Sequence, residues 1–199
     1  RLVESRYEIS NNKGSLGAGV VTALLNSVLV MKGVNFDNNS GLNGGCILLN
    51  EASLDITLSL MRNNRAENTG GTIYASGSDM RIDTSFFDRN VAYKASFLYM
   101  VGYNGITSFI GDAYISANEA TFNTLNIVDS QLDLDLTYFS DNISTGGSNG
   151  INAVGSIITA THIQAIQTFV MDSEDVSVDS GFIMLSYTST LELTQSRIA

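Results

Sequence analysis

Leu54-Asp55-Ile56-Thr57-Leu58 opens the stretch that decides the fold, and it runs on through Met61 and Asn64 to Gly70-Gly71-Thr72-Ile73. Its phrase is an apolar pair two residues apart, an apolar residue five further on, an asparagine three after that, and then a Gly-Gly-x-Ile corner. The phrase recurs. Leu29, Met31, Phe36 and Asn39 lead to Gly44-Gly45-Cys46-Ile47. Met80, Ile82, Phe87 and Asn90 lead to Ala95-Ser96-Phe97-Leu98, and Leu132, Leu134, Phe139 and Asn142 lead to Thr145-Gly146-Gly147.

Outward from these copies the phrase is worn but traceable. At the N-terminal side Ile9 and Asn12 precede Gly17-Ala18-Gly19-Val20, read as the counterpart of Gly44-Gly45-Cys46-Ile47, and Leu2 stands where Leu29 stands. Ile110, Ile115 and Asn118 make a weaker copy. Further on, Phe169 has Asp172 in the asparagine slot, and Leu191, Leu193 and Ile198 start another coil. The apolar position before the asparagine thus falls at Ile9, Phe36, Met61, Phe87, Ile115, Phe139, Phe169 and Ile198, in steps of 24 to 30 residues.

A period in this range signals a solenoid, a propeller or an array. Leu54-Asp55-Ile56-Thr57-Leu58 and Leu132-Asp133-Leu134-Asp135-Leu136 alternate apolar and polar residues, which is strand period, and Gly, Asn, Ser and Thr interrupt every potential helix. Propeller blades need about 40 residues each, and the Leu-x-x-Leu-x-Leu phrase of leucine-rich repeats is missing. The spacing therefore predicts an all-β parallel β-helix of seven to eight coils of roughly 26 residues, spanning 1–199 as one domain, with three short strands per coil. Asn12, Asn39, Asn64, Asn90, Asn118 and Asn142 are expected to form a buried ladder at one corner, because Asn tolerates unusual backbone angles and its amide both donates and accepts. Phe36, Met61, Phe87, Ile115 and Phe139 are expected to stack beside it as the interior apolar column.

These residues resemble the Gly-Gly-x-Ile and Phe-x-x-Asn repeats of the polymorphic outer membrane proteins, β-helices of the pectin-lyase-like kind found at bacterial and protist surfaces. Phe36-Asp37-Asn38-Asn39, Gly44-Gly45-Cys46-Ile47, Gly70-Gly71-Thr72-Ile73-Tyr74, Phe87-Asp88-Arg89-Asn90 and Phe139-Ser140-Asp141-Asn142 carry the resemblance, over about residues 28–147. Met61 replaces the usual Phe, and Ala95-Ser96 and Phe122-Asn123 replace glycine pairs. The resemblance implies a right-handed helix outside the cell, concerned with adhesion or surface architecture.

Composition bounds the function. The 199 residues are 44% hydrophobic and 15% charged, enough for a continuous core. A net charge of −10 argues against nucleic acid and anionic membranes as partners. No apolar run approaches the roughly 18 residues of a membrane span, and a chain opening on Arg1 reads as part of a longer one. The absence of proline among 18 glycines fits strand ladders that use nearly every backbone N–H. Cys46, the single cysteine, reads as a buried thiol without reactivity.

Candidate chemistry is thin, and no catalytic residue, cofactor or metal is assigned. Asp133 and Asp135 alternate outward on one strand and read as a solvated face; Asp55 and Arg81, in equivalent slots of successive coils, are expected to pair. His162, the only histidine, has no motif around it. Asp172, Glu174, Asp175 and Asp179 lack the glycine-punctuated spacing of a calcium loop. Asn38 and Asn142 begin N-x-Ser sequons; Asn142 is expected to be shielded and Asn38 to be exposed, a candidate glycosylation site. Three function classes follow: a structural or adhesive surface scaffold, with further chain or subunits stacked on its ends; a carbohydrate-binding module, for which Tyr74, Tyr99 and Tyr103 are the aromatic candidates; and a polysaccharide-degrading enzyme.

Overall fold

The computed structural model describes residues 7–102, 107–146, 150–166, 169–170 and 182–198. It is a parallel β-helix without α-helix among those residues. Four sheets, of eight, six, seven and seven strands, run along one axis, and every strand pairs in parallel with its equivalent in the next coil. One full turn reads Leu60–Arg62, Arg65–Thr69, Ile73–Ser76, Asp79–Asp83. Six turns contribute a strand to all four sheets, fewer than the seven to eight coils expected. The fourth strand per turn was not anticipated, because the extra sheet uses segments such as Val91–Ala92 and Glu119–Ala120, too short to show a period.

The asparagine corner forms as expected. Asn39, Asn64, Asn90, Asn118 and Asn142 are at most 1% exposed, whereas Asn12, in the first coil, is open to solvent. The Oδ1 of each asparagine accepts two hydrogen bonds from its counterpart one coil earlier: Asn64 N and Nδ2 donate to Asn90 Oδ1 at 3.0 and 3.1 Å, and Asn90 N and Nδ2 to Asn118 Oδ1 at 2.9 and 3.0 Å. Each Nδ2 also donates to the carbonyl of the apolar column one coil back, Asn90 to Met61 and Asn118 to Phe87, both at 3.0 Å. The left-handed backbone angle sits one residue earlier than the ladder, at Asn11, Asn38, Asn63, Arg89, Ala117 and Asp141 (φ 50–59°). The ladder asparagine is thus selected for its amide, and the residue before it makes the turn.

Two further corners follow the same rule with serine. Thr84 (φ 47°) precedes Ser85, whose hydroxyl donates to the Asp83 carbonyl at 2.8 Å and accepts from the Ser59 N–H at 3.2 Å. Gly77 (φ 55°) precedes Ser78, which bonds the Ser76 carbonyl and the Ala52 N–H in the same way. At the glycine corner Gly44 and Gly70 have φ of 70 and 64°, and a Cβ there would stand 2.0 and 2.2 Å from the carbonyl oxygens of Ile47 and Ile73.

Inside, Phe36, Met61, Phe87, Ile115 and Phe139 stack in register, each at most 1% exposed. Two positions of the reading move. Phe139 pairs with Ala165, which in turn pairs with Ile198, so Ala165 holds the column and Phe169 lies on the neighbouring sheet opposite Ile143. The bulk of Phe169 was the misleading signal; Asp172, read into the asparagine slot, lies outside the described residues. Val21 pairs with Ile47, so Ala18-Gly19-Val20-Val21, not Gly17–Val20, matches Gly44–Ile47. Likewise Ile151 pairs with Leu125, so Ile151 fills the slot that Ile73 fills, and Gly147 lies outside the described residues. Leu2 lies outside the described residues.

Phe87 and Phe86 are neighbours with opposite fates, 0% and 48% exposed, so they test the inside-outside register. Phe87→Ala is expected to lose about 3–5 kcal/mol and Phe86→Ala about 1 kcal/mol in urea unfolding; equal midpoints would contradict the register. Asn90→Ala strands the Asn64 amide and backbone N–H and is expected to lose at least about 3 kcal/mol, whereas Asn12→Ala in the open first coil is expected to lose under about 1 kcal/mol.

Candidate functional site

With the interior committed to ladders, chemistry is left to outward-facing side chains. Strand alternation turns Tyr74 and Tyr99 outward on adjacent strands, Ile73–Ser76 and Leu98–Val101, where they are direct neighbours in register. Their rings are parallel to within 6° with centroids 5.6 Å apart. The next coils continue the column with Asn126, which hydrogen-bonds Tyr99, and Asn152, whose Nδ2 donates to Asn126 Oδ1. Burial raises the Tyr99 phenol above its ordinary range, and neighbouring Tyr74 adds to the effect, so the hydroxyl stays neutral and able to donate.

The segment between the asparagine corner and this sheet supplies the opposite wall. Asn43 Oδ1 accepts from Thr69 Oγ1 at 2.7 Å and from Asn68 Nδ2 at 3.2 Å. Lys94 lies on the coil above, its backbone N–H donating to the Asn68 carbonyl at 2.9 Å and its Nζ 6.0 Å from the centre of the Phe122 ring. With Tyr74, Tyr99 and Val101 these residues enclose a groove of about 310 Å³. The sequence pointed to the two tyrosines; Tyr103 lies outside the described residues, and the polar wall depends on coil stacking that spacing alone does not show.

A second aromatic column was not singled out. Phe86, Tyr114 and Tyr138 each precede a residue of the interior column, so alternation alone turns them outward. Successive centroids are 4.8 Å apart and the planes within 9°.

Among the described residues the acidic candidates do not assemble. Asp133 and Asp135 both face outward, half-buried, and Asp135 Oδ1 lies 3.1 Å from His162 Nδ1. Asp55 and Arg81 are in register without pairing; Arg81 instead lies 3.5 Å from Asp83 and over the Phe109 ring, 5.1 Å from its centre. Register alone did not foresee this, since Phe109 on the next coil offers the guanidinium an aromatic face. Asp172, Glu174, Asp175 and Asp179 lie outside the described residues, and among the described ones no group of three potential metal ligands comes together. Another groove of about 310 Å³ is lined in part by Arg65, Glu67 and Glu119. Both glutamates are exposed, and the strand bearing Val91 separates theirs, so two strand spacings, about 9–10 Å, lie between them along the axis. That is far wider than the about 5–5.5 Å of a retaining glycosidase pair.

Asn38 is exposed and Asn142 buried, as expected for the two sequons. No family model, curated protein or solved structure matches the chain.

Cys46 is fully buried in the slot that Thr72 and Phe97 fill in the next coils, and burial raises its thiol well above the ordinary value of 9.0. The folded thiol therefore holds its proton where the unfolded one gives it up, so this residue's contribution is intact below pH 9 and falls as pH rises beyond it. Native protein at pH 8 is expected to resist a thiol reagent such as DTNB and to react at once in denaturant. Rapid native labelling would overturn the burial of Cys46.

Proposed function

We propose that this chain is a structural or adhesive segment of a surface scaffold, a β-helical stalk working outside the cell with further chain or subunits stacked on its ends. The observation that carries the reading is the state of the end coils. Among the described residues the first strands of three sheets, Tyr7–Ser10, Val21–Leu24 and Val28–Lys32, pair on one side only, which leaves rows of backbone N–H and C=O groups open, while the first strand of the fourth, Ser40–Asn43, is covered in part by the bridge of Lys13 to Ser40. Apolar side chains cluster at the first of these coils, with Leu24, Leu25, Val28 and Val30 between 49 and 72% exposed. Stable solenoids close such ends with polar, atypical repeats.

The polymorphic outer membrane protein-like repeats at Phe36–Ile47, Gly70–Tyr74, Phe87–Asn90 and Phe139–Asn142 support the surface location and the adhesive role. So does the division of labour in the coil, where ladders hold the interior constant and the outward columns are free to vary. Carbohydrate binding is a second reading, favoured by the outward tyrosine pair beside a groove.

End stacking is tested by measuring mass in solution across a concentration series. Mass is expected to rise with concentration, and Val28→Lys with Val30→Lys on the open coil to abolish the rise by placing like charges on the edge. A monomer at every concentration would overturn the stacking.

A further inference from the structure

The groove beside Tyr74 and Tyr99 carries a charge opposite to that of the chain. The chain holds 20 acidic and 10 basic residues, yet the groove is lined by Lys94 and by no carboxylate. Lys94 forms no ion pair among the described residues, and its ammonium stands over Phe122 instead of against an acid. An anionic ligand group would therefore meet an uncompensated cation there.

The aromatic floor has the geometry that the other stack lacks. Parallel rings in contact are about 3.5 Å apart face to face, so centroids 5.6 Å apart mean that Tyr74 and Tyr99 are offset by roughly 4 Å. The offset bares part of each ring face, and both tyrosines are only half-buried. Phe86, Tyr114 and Tyr138, at 4.8 Å, overlap more, by the same measure offset by roughly 3 Å, and no groove with a cation lies beside them among those described. An uncovered ring face suits the C–H face of a pyranose, and Asn68, Thr69 and the tyrosine hydroxyls supply polar partners for its hydroxyls. The volume of about 310 Å³ lies at the small end of ligand sites, which span about 300–1,000 Å³.

We propose that this groove binds a saccharide bearing a carboxylate, with the pyranose face on Tyr74 and Tyr99 and the carboxylate on Lys94. A net charge of −10 repels a densely charged polymer, so the ligand is an acidic sugar within a largely neutral glycan. The inference gives the adhesive reading above a ligand class, and it is tested in solution, independently of whether the chain stacks end to end.

The test is titration calorimetry of the whole chain with sialyllactose and with a trisaccharide ending in glucuronic acid, against lactose and sulfated lactose. At least one acidic sugar is expected to bind about tenfold more tightly than lactose, and the preference to weaken with salt. Lys94→Gln is expected to remove that preference by bringing the acidic sugars down to the level of lactose; Lys94 is exposed, so the variant keeps its fold. Tyr74→Ala and Tyr99→Ala are expected to lose at least tenfold for every sugar, Tyr99→Phe less than threefold, and Phe86→Ala, on another sheet, nothing. Sulfated lactose binding as tightly as the carboxylated sugars would overturn the assignment to a carboxylate. Failure of both acidic sugars to bind, or binding indifferent to Lys94 and the two tyrosines, would overturn the site.

Discussion

One interaction sets the geometry of this molecule: an asparagine Oδ1 that accepts both the backbone N–H and the side-chain amide of the asparagine one coil away. Because the same amide also reaches the carbonyl of the apolar column, each rung ties the corner to the core. Among short side chains only Asn meets the requirement. Asp lacks the donor, and the single hydroxyl of Ser cannot replace an amide that offers two donors and two lone pairs. Once the rungs align, the columns on either side have little freedom. Phe36, Met61, Phe87, Ile115 and Phe139 must stack, although the rungs from Asn39 to Asn142 are separated by 24 to 28 residues.

The variation in coil length is absorbed outside the ladders. Two serine corners fix the other bends by a smaller version of the same device, a hydroxyl that donates within its own coil and accepts from the coil before it. What remains between the asparagine corner and the Ile73–Ser76 sheet is the short strand of the fourth sheet and the bend after it, and there the polar wall of the groove arises, from Asn43, Asn68 and Lys94 on three successive coils. A rigid interior with an adjustable exterior is a natural carrier for a binding surface, since outward residues can change without disturbing a rung. The outer columns show the consequence, with like set on like: Tyr74 on Tyr99, Asn126 on Asn152, Tyr114 on Tyr138.

Much of the architecture was legible before any coordinates, because a rung, a column residue and a glycine corner sit at nearly constant offsets within the coil. Where a slot carries no distinctive residue the reading slipped. Ala165 gives no size signal, so Phe169 took its place in the column; a run of small residues near Gly17 allowed an error of one position, which the pairing of Val21 with Ile47 resolves. The serine ladders escaped notice because the residues that fill them, among them Ser59, Ser85 and Thr137, belong to types common throughout the chain.

By itself, then, the sequence determined the coil period, the inward and outward alternation, the asparagine ladder and the burial of Cys46, all consequences of local spacing and of which side chains water excludes. Only the tertiary structure decided the fourth sheet, the pairing of Asp135 with His162, the turn of Arg81 toward Phe109, and the meeting of Lys94 with Asn43 and the two tyrosines. The reason is physical. Apart from Lys94 and Tyr99, five positions apart, those contacts join residues 20 to 51 positions apart across coils of unequal length, and their distances are set by the stacking of rungs, which no single coil contains.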